Sequence, residues 1–134
     1  PGCCLLVKKS VFEAIGFFDE DFFMYGEDVE FCHRAVTRGF RIGIIPEACL
    51  YHKTGASAVQ NSLFYETAVN RGHLLLARKL LGSSGAQGFA LSIKLLVLFL
   101  RAIVRTVRFG NGNALQGYAS ALRSFFAQQS ATGP

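Results

Sequence analysis

Short apolar extended runs alternate with capped helices over the first 57 residues, and almost unbroken helical periodicity follows. Together they predict a mixed α/β fold with an α-helical extension. Three observations carry the prediction. The run at residues 3–8 is apolar and closes on Lys8 and Lys9, as a short buried strand does. Runs at 40–45 and 48–52, parted by Pro46, read as two further extended pieces. From residue 62 onward the apolar spacing turns to three and four, with glycine-rich breaks between segments.

Taken in order, Ser10 with Glu13 forms a capping-box pattern opening a helix at 11–15, which Gly16 stops. Residues 17–26 form an aromatic, acidic loop. A second helix covers 27–38, with Glu27, Asp28 and Glu30 in its first turn, Arg34 and Arg38 near its end, and Gly39 beyond. That order suits the helix dipole, and Glu30 with Arg34 adds an i,i+4 pair. A turn-rich loop is expected at 53–57. Helices follow at 62–81, at 89–109 after a linker at 82–88, and at 115–126.

The chain carries a formal charge of +5, with a pI near 9.3, which suits a polyanionic partner. Its acids cluster early and its cations dominate from Lys53 onward. No helix interleaves cations with aromatics, and no zinc spacing or RNP-like strand occurs, so nucleic acid is set aside. Cys3, Cys4, Cys32 and Cys49 lack C-x-x-C spacing and are expected to be reduced, mostly buried thiols, which fits the cytoplasm. The opening on Pro1 and Gly2, with a strand that lacks an upstream partner, leads us to expect a piece of a longer protein.

Chemistry concentrates between residues 19 and 30, where six of the nine acids sit among Phe17, Phe18, Phe22, Phe23 and Tyr25. An ionised carboxylate at a helix start can accept a proton from an attacking hydroxyl. A neutral imidazole such as His52 can ligate a metal. The same residues also suit a structural role, Glu27 and Asp28 as favourable first-turn acids and His52 as a hydrogen-bonded histidine.

Four ordered motifs carry a family resemblance: an opening G-x-x-L-L-V, then S-V-F-E-x-I-G-x-F-D-E, then Y-G-E-D-V-E-x-C-x-R, and finally P-E-A-x-x-Y-H. The stretch to about Leu81 resembles the second half of the catalytic domain of family 2 glycosyltransferases, the inverting GT-A type, in its rhamnosyltransferase-like branch. The resemblance implies that residues 1–81 are the C-terminal portion of a Rossmann-like GT-A domain and 82–134 a helical extension. It implies that Asp28 is the catalytic base, that Glu27 supports it, and that Gly2 and Cys3 start a strand at the sugar and acceptor pocket. It further implies Tyr25 and Arg34 as pocket residues, and His52 as the histidine approaching a Mg²⁺ or Mn²⁺ ion and the diphosphate. Asp19 and Glu20 match a structural F-D-E.

The implied activity is inverting transfer of a sugar, a deoxyhexose such as rhamnose, from a nucleotide-diphosphate donor. The implied acceptor is a glycan or lipid-linked glycan of bacterial surface polysaccharide synthesis, at the cytoplasmic face of the plasma membrane. Two departures stand out. Glu30 replaces a common Asp, and the nucleotide-binding half with its D-x-D metal motif is absent, so the chain alone is expected to be inactive. The alternative is a non-catalytic carbohydrate-binding or scaffold remnant of the same fold.

The segment 89–109 is too interrupted by cations to span a bilayer. At about 100° per residue, Lys94, Arg101, Arg105 and Arg108 fall within an arc of about 60°. A cationic stripe beside a wide apolar face is expected of a helix lying in a membrane interface. The competing expectation is a helix that docks its apolar face on the rest of the fold and leaves its cations in water.

Overall fold

The computed structural model describes residues 2–53, 58–81 and 85–131, without the side chains of 85–87 and 129–131. The described residues form five helices: α1 Lys9–Ile15, α2 Glu27–Thr37, α3 Leu63–Leu80, α4 Gly85–Phe109 and α5 Asn113–Ala131. Among the described residues there is no strand, so the expected α/β, GT-A-like sheet is overturned. Residues 3–8, 40–45 and 48–52 carry the composition of strands but form no strand among the described residues. Leu6, Ile44 and Tyr51 stand almost wholly in solvent. A helix closes its hydrogen bonds within its own segment, whereas a strand needs a neighbour to supply them. With no sheet to cover them, Cys3, Cys4 and Cys49 are exposed, and Cys32 on α2 is half-buried, none in a disulfide, against the expectation of mostly buried thiols.

Local signals fare better. Gly16 and Gly39 take positive φ angles of 79° and 84°, and their N–H groups bond Phe12 O and Val36 O. Ser62 caps α3, its hydroxyl accepting from Tyr65 N at 3.1 Å. The capping box at α1 does not form: the helix begins at Lys9 with Lys8 as an uncapped N-cap, and Glu13 pairs with Lys9 in solvent instead. The linker expected at 82–88 is helical from Gly85; residues 82–84 and, in the 53–57 loop, 54–57 lie outside the described residues.

Helices α3, α4 and α5 pack on one another, with α2 against α3 and α1 against α2. The core holds Phe22, Leu74, Leu75, Leu98, Ala121 and Phe125, so the aromatic loop sends Phe22 into the helical layer. A Cβ at Gly117 would overlap that of Glu66, so glycine lets α5 lie directly on α3. Beneath that crossing lies the Glu66 carboxylate, fully buried. Arg101 Nη1 donates to its Oε2 at 3.0 Å and Arg105 Nε to its Oε1 at 2.6 Å. Arg105 also bonds Asn61 Oδ1, and Asn113 Nδ2 donates to Asn61 O at 2.8 Å. The ion cluster therefore ties the start of α3 to the end of α4 and the start of α5.

Candidate functional site around the start of α2

Tyr25 and Gly26, with φ of 67° and 109°, turn the chain sharply into α2. Gly26 as N-cap offers no side chain, and Glu27, Asp28 and Glu30 fill the first turn, where the helix dipole favours negative charge. Asp28 Oδ1 accepts from Val29 N at 2.9 Å. The chain start folds back here: a Cβ at Gly2 would lie 2.7 Å from that of Asp28 and 2.8 Å from its Oδ2. Only glycine leaves that carboxylate its room. Glu27 Oε2 is buried and accepts no hydrogen bond among the described residues. Such an orphaned acceptor calls for an explanation. Burial pushes the Tyr25 phenol above its usual range, and the nearby Tyr65 and Glu27 charges add to the rise. Tyr25 and Tyr65 meet edge to face, 5.6 Å between centroids.

The loop that carries this turn is bolted to α3. A Cβ at Gly72 would overlap the Tyr25 carbonyl oxygen, and one at Gly26 would press on Phe22 and Leu76. Lys79 Nζ bridges Asp19 Oδ2 at 2.5 Å and Asp21 Oδ2 at 2.6 Å. Gln128 Nε2 donates to Asp21 Oδ1 at 2.8 Å, and Arg71 Nη1 to Asp21 O at 2.9 Å. The Lys79 hydrogen bond and charge, helped by Arg78 and Gln128, hold Asp21 below the usual carboxylate range despite its partial burial. Asp19-Glu20-Asp21 does spell D-x-D, yet an ammonium sits between its carboxylates where a metal would have to go.

Gly2 thus meets Asp28, and Tyr25 lies near Glu27. Cys3 is exposed beside them in sequence. Arg34 lies further along α2 and spends its donors elsewhere. Its Nε and Nη2 bond Glu30 at 3.0 and 2.8 Å, Nη2 also bonds Phe17 O at 2.9 Å, and Nη1 bonds Ile15 O. It fastens α1 and the aromatic loop to α2. His52 is exposed. No group of three His, Cys, Asp or Glu side chains that could hold a metal exists among the described residues. One imidazole does not hold a divalent cation unaided, so the described residues do not fit a metal site.

Glu66 and Lys79 escaped the sequence reading. A signal for the first was present: Glu66 is the one acid after residue 53, among nine cations. A lone acid on an apolar helix face amid so many cations is a candidate for a buried pair.

Short segments of the chain are related to glycosyltransferases, rhamnosyl and hexosyl transferases among them. A stretch of 42 residues, 31% of the chain, is 50% identical to the low-salt glycan biosynthesis hexosyltransferase Agl10 of Haloferax volcanii. Over 53 residues, 39% of the chain, it is 45% identical to the N-acetylglucosaminyl-diphospho-decaprenol L-rhamnosyltransferase of Mycobacterium tuberculosis. Over 55 residues, 41% of the chain, it is 36% identical to the dTDP-rhamnosyl transferase RfbF of Shigella flexneri. These matches span 14%, 17% and 19% of the respective relatives. No family model and no solved structure matches.

Proposed function

We propose that the chain supplies the acceptor-activating part of an inverting family 2 glycosyltransferase that transfers a hexose or deoxyhexose such as rhamnose. The donor is a nucleotide-diphosphate sugar held by residues outside this chain, and the acceptor is a glycan or lipid-linked glycan. Support comes from the likeness to hexosyl and rhamnosyl transferases, and from one observation above all: Asp28 stands at a helix start with the Gly2 backbone as its neighbour, next in sequence to Glu27, whose Oε2 is unsatisfied. A sugar hydroxyl entering there donates its proton to Asp28 as its oxygen attacks the anomeric carbon. The new C–O bond forms while the bond to the diphosphate breaks, and the electron pair leaves with the nucleotide diphosphate. Glu27 Oε2 accepts a hydrogen bond from a second acceptor hydroxyl, with the Tyr25 and Tyr65 rings as an apolar wall.

In the enzyme that carries this chain, Asp28→Asn lowers turnover by roughly 10² to 10⁴ and leaves calorimetric donor affinity nearly unchanged. Near wild-type turnover in the same preparation overturns the assignment.

A further inference from the structure

Helix α4 turns part of its cationic stripe into the fold, which neither expectation has. Two cations of its stripe, Arg101 and Arg105, point inward to Glu66. The opposite arc faces solvent and is apolar throughout. With Lys94 at 0° and about 100° per residue, Phe89, Leu96, Val97, Leu100, Val104 and Val107 fall between about 200° and 300°. All six are half exposed or more, Phe89 at 71% and Val107 at 80%. Soluble surfaces rarely carry an apolar strip of this extent unless something covers it. No described helix is long and apolar enough to cross a membrane.

Charge says what covers it. Residues 53–134 hold nine cations against one acid, and that acid is buried and already neutralised by two arginines. Arg78 and Lys79 are paired with Asp21 of the site loop, but α4 and α5 themselves carry no acid, so the charge at the margins of the outward face of α4 is cationic. Arg108 is exposed at about 320°, on the margin of the apolar arc, and Lys94 lines a groove of about 390 Å³ between α3 and α4. Leu76, Leu80, Ala90 and Val97 also line that groove, and Val97 belongs to the outward arc, so groove and arc are continuous. An uninterrupted apolar strip with ammonium and guanidinium groups along its edge matches the boundary between acyl chains and anionic headgroups.

We propose that the outward face of α4 is a docking surface for an anionic lipid bilayer, its apolar arc seated among the acyl chains and Lys94 and Arg108 on lipid phosphates. The inward arginines act as structural anchors of the helix, not as lipid contacts. This surface is independent of the transfer reading, since lipid binding needs neither donor nor acceptor and Asp28→Asn leaves it unchanged.

Co-sedimentation of the 134-residue chain with phosphatidylcholine vesicles, with and without about 30% phosphatidylglycerol, tests the proposal. The chain pellets with the anionic vesicles at low salt. Leu100→Glu with Val104→Glu reduces the partition coefficient roughly 100-fold or more while circular dichroism and Tm stay near wild type. Lys94→Gln with Arg108→Gln weakens anionic binding roughly thirtyfold and zwitterionic binding hardly at all. A wild-type chain that stays in the supernatant at low salt overturns the proposal. So does a Leu100→Glu, Val104→Glu variant that pellets like wild type. Light scattering that shows a dimer dissolved by that variant, without vesicle binding, assigns the face to a second copy and also overturns it.

Discussion

Glu66→Gln tests whether one buried carboxylate holds the three-helix layer together. The substitution keeps the side-chain volume but deletes the charge between Arg101 and Arg105, and turns an amide N–H₂ toward donors that need an acceptor. Removing one partner of a buried pair costs about 3–5 kcal/mol. Here the carboxylate is 1% exposed but the guanidinium side chains keep 26% and 21% exposure, so water recovers part of the loss. The low end, about 3 kcal/mol, is the expected destabilisation. With a urea m-value of about 2 kcal/mol/M, the unfolding midpoint falls by roughly 1.5 M at neutral pH. Because the cluster is largely shielded from ions, about 0.5 M NaCl leaves more than half of the difference. A midpoint shift under roughly 0.3 M, or one that salt abolishes, refutes the reasoning and makes Glu66 a solvated residue.

The remaining predictions concern the site loop. Gly72→Ala forces a methyl into the Tyr25 carbonyl oxygen, a backbone atom that cannot swing aside, so strain outweighs the gain in helix propensity of up to about 1 kcal/mol. Calorimetry should show Tm falling by roughly 3–8 °C, while Gly88→Ala, on an α4 face where a Cβ meets nothing, leaves Tm level or slightly raised. The Asp21–Lys79 bridge gives a pH signature of stated sign. Asp21 is depressed, first by its Lys79 hydrogen bond, so its contribution is present above the ordinary carboxylate range and disappears as pH falls through the folded value. Lys79 is raised by Asp19 and Asp21, which outweigh its desolvation, so its contribution is present below the ordinary lysine value and disappears at higher pH. Lys79→Met should flatten urea stability between about pH 3 and 5 relative to wild type; an unchanged acid limb contradicts the bridge.

Much of the helical content could be read from residue order alone. Gly16 and Gly39 stop α1 and α2, Ser62 caps α3, and the first-turn acids of α2 stand where the sequence places them. These signals are local, because a helix and its caps are settled within a turn or two of the same segment. The start of α2 was legible for the same reason, with Tyr25, Glu27 and Asp28 consecutive around one glycine. The return of Gly2 onto Asp28 was suggested by resemblance, and its closeness appears only in the fold.

Tertiary structure decided what local order leaves open. The segments at 3–8, 40–45 and 48–52 have strand composition, yet composition names no partner, and without a neighbour to accept its hydrogen bonds no strand forms. Arg34 could serve a pocket or a scaffold by its chemistry; the carbonyls of Ile15 and Phe17, brought close only by packing, enlist it for the scaffold. Helix α4 is amphipathic by sequence, and either face could turn inward. Glu66, 35 residues before Arg101, settles the matter: a buried carboxylate on α3 draws Arg101 and Arg105 inside, and the apolar arc is left facing out.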